Sequence, residues 1–175
     1  MIAYDAIRPR LATGCAVLWK GNGLLSRAIR LFSEFSHASL IVRLDAYQGL
    51  TDRVFLVEAL ATGLELRLLS ERIKGYDGEV DIFFPRGLGQ DQQNAVRDFA
   101  LVQCAKAVPY AYGSLFANIL GHVSEDAHKY FCSEFVWAAW LAARIVARRP
   151  DDFAPRPGDI PLWCPGGRER ILLGA

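Results

Sequence analysis

Short apolar runs dominate the first half of the chain, and longer helical periods dominate the second. Gly14-Cys15-Ala16-Val17-Leu18-Trp19 predicts a strand, ended by Lys20-Gly21-Asn22-Gly23. From Leu24 to Phe35 the apolar residues Leu25, Ala28, Ile29 and Phe32 recur at helical spacing. Ser39–Leu44 is a β-rich run followed by a polar loop, Asp45–Arg53, and Val54–Ala59 is a second apolar strand. Leu64–Leu69 alternates Leu64, Leu66 and Leu68 against Glu65 and Arg67, the period of a half-buried strand. Glu79–Phe84 is a further strand, closed by Pro85. Gln90–Ala107 carries Val96, Phe99, Ala100, Gln103 and Cys104 on one helical face. Pro109-Tyr110-Ala111-Tyr112-Gly113 interrupts, Ser114–Leu120 predicts a short helix, and Phe131–Arg148 predicts the longest one. The tail is rich in proline and glycine and is expected to wrap the surface. Strands first and helices second argue for an α+β fold, with an antiparallel sheet packed against helices.

Composition narrows the class. The chain has 175 residues, 52% hydrophobic and 22% charged, which fits one globular domain over 1–175. A net charge of +1 gives no basic surplus for nucleic acid or an anionic membrane. The N-terminus lacks a cationic start followed by an apolar stretch. The longest uncharged apolar run, Phe135–Ala143, is too short to span a bilayer. The expectation is a chain that is cytoplasmic as synthesised and has no transmembrane segment, with export by a route without a cleaved signal left open. Cys15, Cys104, Cys132 and Cys164 are scattered and form no CxxC pair, so neither a disulfide framework nor a zinc ribbon is indicated.

Two residues stand out chemically. Cys132 opens an apolar helical run whose packed face continues through Phe135, Val136, Ala139, Trp140, Ala143 and Val146. A helix N-terminus stabilises a thiolate and supplies N–H groups to an oxyanion. His37 opens the strand that follows Phe35-Ser36. Glu58 lies inside the apolar run Val57-Glu58-Ala59, where a charge is costly unless paired. If the two strands are neighbours, Glu58 orients one nitrogen of His37 while the other faces Cys132: nucleophile, base and orienter. The plainer alternatives are a buried structural cysteine, a satisfied histidine and an outward strand charge. His122, His128 and Cys132 offer zinc-type ligands, but their spacing matches no recognised zinc pattern, so no metal or other cofactor is expected. The serines at 33, 36 and 39 have no G-x-S-x-G context, and no glycine-rich phosphate loop occurs.

The landmarks, taken in order, resemble the circularly permuted papain-like proteins of the NlpC superfamily, in the YiiX-like branch. Gly23-Leu24-Leu25-Ser26-Arg27-Ala28-Ile29-Arg30 resembles the family's first helix. Phe35-Ser36-His37-Ala38-Ser39-Leu40 resembles its histidine strand, and Val57-Glu58-Ala59 its V-E-A strand. Val108-Pro109-Tyr110-Ala111-Tyr112-Gly113 resembles the P-Y segment, and Phe131-Cys132-Ser133-Glu134-Phe135-Val136 the C-S-E motif. The matches span roughly residues 14 to 146. The resemblance implies Cys132 as nucleophile, His37 as base, Glu58 as orienter and Tyr110 as a looser substrate or oxyanion contact. Gly14-Cys15 stands where members often carry Gly-Asp, and Tyr110-Ala111 where they often carry Tyr-Asp. Those departures bear on the substrate pocket rather than on the thiol–imidazole pair. The implied activity is thiol-dependent amide hydrolysis through a thioester, on peptidoglycan-type peptides. Alternatives are lipid acyl transfer or lipid-ester hydrolysis at the same site, or a non-catalytic binding module. The expected partner is accordingly a peptide, a peptidoglycan fragment or a lipid, and not nucleic acid.

Overall fold

The computed structural model describes residues 1–45, 49–60, 63–106, 127–147 and 155–173, with the side chains of 127–131 outside that description. Seven strands form one sheet: β1 (Ile2–Ala3), β2 (Ala16–Gly21), β3 (His37–Arg43), β4 (Val54–Leu60), β5 (Gly63–Leu68), β6 (Gly78–Pro85) and β7 (Gly166–Leu172). Their order is β1-β7-β6-β2-β3-β4-β5. The helices are α1 (Tyr4–Ile7), α2 (Leu24–Ile29), α3 (Leu69–Ile73), α4 (Gln90–Ala105), α5 (Ala127–Ala142) and α6 (Ile160–Trp163). The class is α+β, as the order of apolar runs implies. The sheet is mixed rather than antiparallel throughout, because β1 runs parallel to β7 while every other pair is antiparallel.

The central strands are buried on both faces, and alternation sorts their side chains into two cores. Ala16, Leu18, Ala38, Leu40, Val42 and Val57 join Val96 and Ala100 of α4 and the 135–140 stretch of α5. Val17, Trp19, Ile41, Leu56, Val80 and Ile82 form the opposite core, closed by Ile7 and Leu69 from α1 and α3. Residues 132–140 are buried all round, not on one face, as befits a helix in the interior of a fold.

Three expectations are corrected. The tail does not simply wrap the surface, since β7 inserts between β1 and β6. Its charges are satisfied across the strands: Arg170 Nε donates to the buried Asp81 at 2.7 Å, and Arg10 pairs with Glu169. Charge-dense Arg168-Glu169-Arg170 carries no apolar period, so the strand is invisible to hydropathy. The helix expected from Leu24 to Phe35 is only Leu24–Ile29, and Leu25 and Phe32 on its expected apolar face are exposed. The helix that carries Cys132 begins at Ala127 rather than Phe131 and, at 16 residues, equals α4 in length. The short helix expected at Ser114–Leu120 lies outside the described residues.

Gly78 fixes how closely β6 approaches β2. Its φ is +153°, and a Cβ there would sit 2.1 Å from the Lys20 carbonyl oxygen. Gly78→Ala should therefore destabilise the protein by about 3 kcal/mol in urea unfolding, from strain and clash together. An unchanged midpoint would show that this strand pair tolerates separation.

Candidate active site

His37 is the first residue of β3 and pairs with Trp19 of β2. Alternation along β3 puts His37 and Ser39 on the same face. The β3–β4 register aligns Leu40 with Val57, so the next pair along brings Glu58 opposite Ser39. The carboxylate is fully buried and fully engaged. His37 Nε2 donates to Glu58 Oε1 at 3.0 Å, Ser39 Oγ donates to the same oxygen at 2.9 Å, and Arg72 Nε donates to Oε2 at 3.2 Å. Ser39 in turn accepts from Trp19 Nε1 at 2.7 Å. The Arg72 guanidinium lies 4.6 Å from the Trp19 ring centroid and 5.3 Å from that of Tyr76.

With Nε2 committed to Glu58, Nδ1 is the ring nitrogen left for the thiol. Cys132 is hydrogen-bonded to the His37 side chain, and the backbone N–H groups of Ala38 and Ser133 also donate to its sulfur. The helix that carries Cys132 packs against β3 from the face of Ala38 and Leu40, opposite Ser39 and Glu58. The pair meets where β3 begins. His37 retains 19% of its side-chain surface, so the site is reachable from solvent at the imidazole.

Electrostatics follow from this arrangement. Burial pushes the Cys132 thiol up, but the His37 charge and hydrogen bond, with the two N–H groups, bring it below its ordinary value. Burial works against the His37 cation, yet the Cys132 charge and the bonds to Cys132 and Glu58 raise it to about 9. Burial likewise opposes the Glu58 charge, and His37, Arg72 and Ser39 together hold the carboxyl below its usual range. The surroundings thus favour the charged forms of both Cys132 and His37, backed by a carboxylate. The other thiols differ: burial pushes Cys15 and Cys164 up to about 11 and raises Cys104 as well.

The sequence placed Cys132 at a helix start, and the structure does not. Ala127–Phe131 precede it in α5, so its own N–H lies within the helix rather than at an open end. The low thiol pKa comes from His37 and two N–H groups, not from a helix terminus.

No protein-family model matches the chain, and no curated protein does. Among solved structures it is similar to the crystal structure of metalloprotein YiiX from Escherichia coli O157:H7, of DUF1105. The identity is 22% and the TM-score 0.53, over 75% of this chain and 66% of that one. The chain thus spans about two thirds of that structure's length. The likeness shows a shared fold, in keeping with the YiiX-like landmarks in the sequence.

The word metalloprotein belongs to that neighbour. Among the described residues of this chain, no group of three or more His, Cys, Asp or Glu side chains is placed to hold a metal ion. His122 and Tyr110 lie outside the described residues, as does the side chain of His128. No helix among the described residues is long and apolar enough to cross a membrane.

The structure places His37, Glu58 and Cys132 beside one another, and the groups that hold them were not read from the sequence. Ser39 and Trp19 were legible in principle, since strand register fixes both once β2, β3 and β4 are neighbours. Arg72 was not, because it reaches Glu58 from α3 across a helix turn that no period marks. Glu134 was also passed over. It is buried two positions after Cys132, and burial pushes its carboxyl up to about 7. Its neighbour Ser133 donates to the Pro155 carbonyl at 2.5 Å, tying α5 to the segment before α6.

Proposed function

We propose that the protein is a cysteine hydrolase of the permuted papain-like, NlpC type, acting on an amide of a peptidoglycan-type peptide. The observation that carries this reading is the line of Cys132, His37 and the buried Glu58, in which Glu58 holds one ring nitrogen of His37 at 3.0 Å and leaves the other for the sulfur. A thiolate beside an imidazolium is a nucleophile and an acid already in place.

The steps follow from these residues alone, and none is routed through a metal. The Cys132 thiolate adds to the amide carbonyl carbon, forming a C–S bond while an electron pair moves onto oxygen. Collapse of that adduct breaks the C–N bond, and the leaving amine takes the proton held on His37. A thioester remains. Neutral His37 then removes a proton from a water whose oxygen attacks the thioester carbonyl. The C–S bond breaks, the acid leaves, and thiolate and imidazolium are restored. Glu58 keeps Nδ1 aimed at the sulfur throughout and stabilises the cation that forms twice.

Transfer of the acyl group to another acceptor, or hydrolysis of a lipid ester, uses the same thioester. The exposed apolar residues just before His37 favour keeping that second reading. Mass spectrometry after incubation with muropeptides and with phospholipids separates the two. A peptidyl mass added to Cys132 is expected, and it should be absent in Cys132→Ala. An acyl mass from the phospholipid alone would move the assignment to lipid chemistry. No adduct from either class, with ordinary alkylation kinetics at Cys132, would leave the fold as a binding module.

A further inference from the structure

The segment leading into the site is the anomaly of the surface. Leu24, Leu25, Leu31 and Phe32 are between 68% and 86% exposed. Arg27 and Arg30 are exposed among them, and no acidic residue occurs from Asn22 to Ser33. Among the described residues neither arginine makes an ion pair; Arg30 reaches only the Gly21 carbonyl, at 3.5 Å. Clusters of exposed large apolar side chains are uncommon on a protein that stays alone in water.

The segment is held in this pose from both ends. Asn22 Nδ2 donates to Asp77 at 2.7 Å, and the Ser36 N–H donates to the Trp19 carbonyl at 2.8 Å. Arg156 Nη1 donates to the Phe32 carbonyl at 3.0 Å, and the Gly158 N–H donates to Ser33 Oγ at 2.9 Å. The apolar side chains are therefore presented outward by a braced backbone. They do not fold back onto the core, whose face here is already filled by Phe35 and Trp19.

We propose that α2 and the turn after it dock the protein onto an anionic lipid surface. Leu24, Leu25, Leu31 and Phe32 enter the interfacial layer, and Arg27 and Arg30 meet headgroup phosphates. A lipid surface supplies apolar depth and negative charge side by side, the combination this segment complements. A second copy of the chain fits less well. A two-fold interface would set Arg27 and Arg30 against their own copies with no acidic residue in the segment to pair them. The attraction is local, because the whole chain carries a net charge of only +1. Docking would bring the start of β3, and with it His37, to the lipid boundary. It requires no thiol chemistry, so it stands or falls apart from the proposed reaction.

Co-sedimentation with vesicles tests it, using phosphatidylcholine alone and phosphatidylcholine mixed with phosphatidylglycerol. The full chain should sediment with the mixed vesicles and much less with the neutral ones, and salt should release it. Arg27→Ser with Arg30→Ser should weaken partition roughly twenty-five-fold, about fivefold per cation. Leu24→Ser, Leu25→Ser, Leu31→Ser and Phe32→Ser together should abolish it. If that variant fails to fold, the arginine pair and Phe32→Ser alone carry the test. Cys132→Ala should bind as the unaltered protein does. No sedimentation with anionic vesicles, or binding indifferent to both sets of substitutions, overturns the proposal. A concentration-dependent dimer lost in the apolar variant, without vesicle binding, assigns the face to a second copy instead.

Discussion

Iodoacetamide should label Cys132 at neutral pH well ahead of Cys15, Cys104 and Cys164, which stay slow until strongly alkaline pH. The contrast follows from environment. Cys132 has an imidazolium and two N–H donors on its sulfur, whereas Cys15 and Cys164 are buried among groups that leave their thiols at about 11. His37→Ala removes the first two stabilising contributions at once and leaves burial largely unopposed. The Cys132 thiol should then rise past its ordinary value of about 8.5, and its neutral-pH labelling should fall more than about tenfold. The fall is softened because a more basic thiolate is intrinsically more nucleophilic. Turnover of any thioester-forming substrate should drop by roughly a thousandfold or more in either Cys132→Ala or His37→Ala. A Cys132 labelling rate that climbs only through about pH 8.5 would sink the ion pair.

The same pair makes a statement about stability. His37 is raised to about 9, so its contribution is complete below its unfolded pKa of about 6.5 and is lost as pH rises through about 9. Cys132 is lowered, so its contribution is present above its unfolded pKa of about 8.5 and is lost as pH falls through the folded value. Between about pH 6.5 and 8.5 the unfolded chain holds one proton on sulfur, and wherever Cys132 is ionised in that range the folded chain holds one on imidazole. The proton counts match there, so the pair should add no pH dependence over that part of the window. Its contribution should decline on either side.

How much of this could be read in the residues depends on which forces leave a trace in them. β2, β3 and β4 are buried on both faces, and burial writes itself as unbroken apolar runs. Glu58 was conspicuous for the same reason, as a charge where no charge is tolerated unpaired. β7 was hidden because it is stabilised by pairs such as Arg170 with Asp81 rather than by an apolar face. The start of α5 was misplaced because Phe131 looked like the first apolar residue of a period, while the helix already includes Ala127. That shift of register changes the chemistry: it removes the helix terminus from the explanation of the thiol and leaves His37 in its place. α2 shows the converse error. Helical spacing of Leu25 and Phe32 implied a buried face, but periodicity cannot say whether anything lies opposite it. Arg72 shows a third limit, since a surface-type residue becomes a buried partner only through tertiary packing.

Removing Glu58 should be the most damaging single substitution in the site. Glu58→Ala leaves the raised His37 and the stacked Arg72 without their shared anion, and breaking a buried pair from one side typically costs about 3–5 kcal/mol. Glu58→Gln is the more informative variant. Its amide oxygen can still accept from His37 and Ser39, but its NH2 would then face the Arg72 guanidinium, donor against donor. The variant should lose about 2–3 kcal/mol in urea unfolding at neutral pH. His37 should fall from about 9 because the carboxylate's charge is gone, and Cys132 should label more slowly at neutral pH as its partner loses charge. The sign of the acid response separates this from a mere packing defect. Glu58 is depressed in the folded chain, so its contribution is present above its unfolded pKa of about 4.3 and is lost as pH falls through the lower folded value. The stability gap between the native protein and Glu58→Gln should therefore be full at neutral pH and shrink in strong acid. Urea melts of both proteins at neutral pH and at about pH 3, with His37 followed by NMR titration, provide the measurement. A gap that stays constant into acid, with His37 unmoved, would make Glu58 a shape-filling residue rather than the group that orients and charges the imidazole.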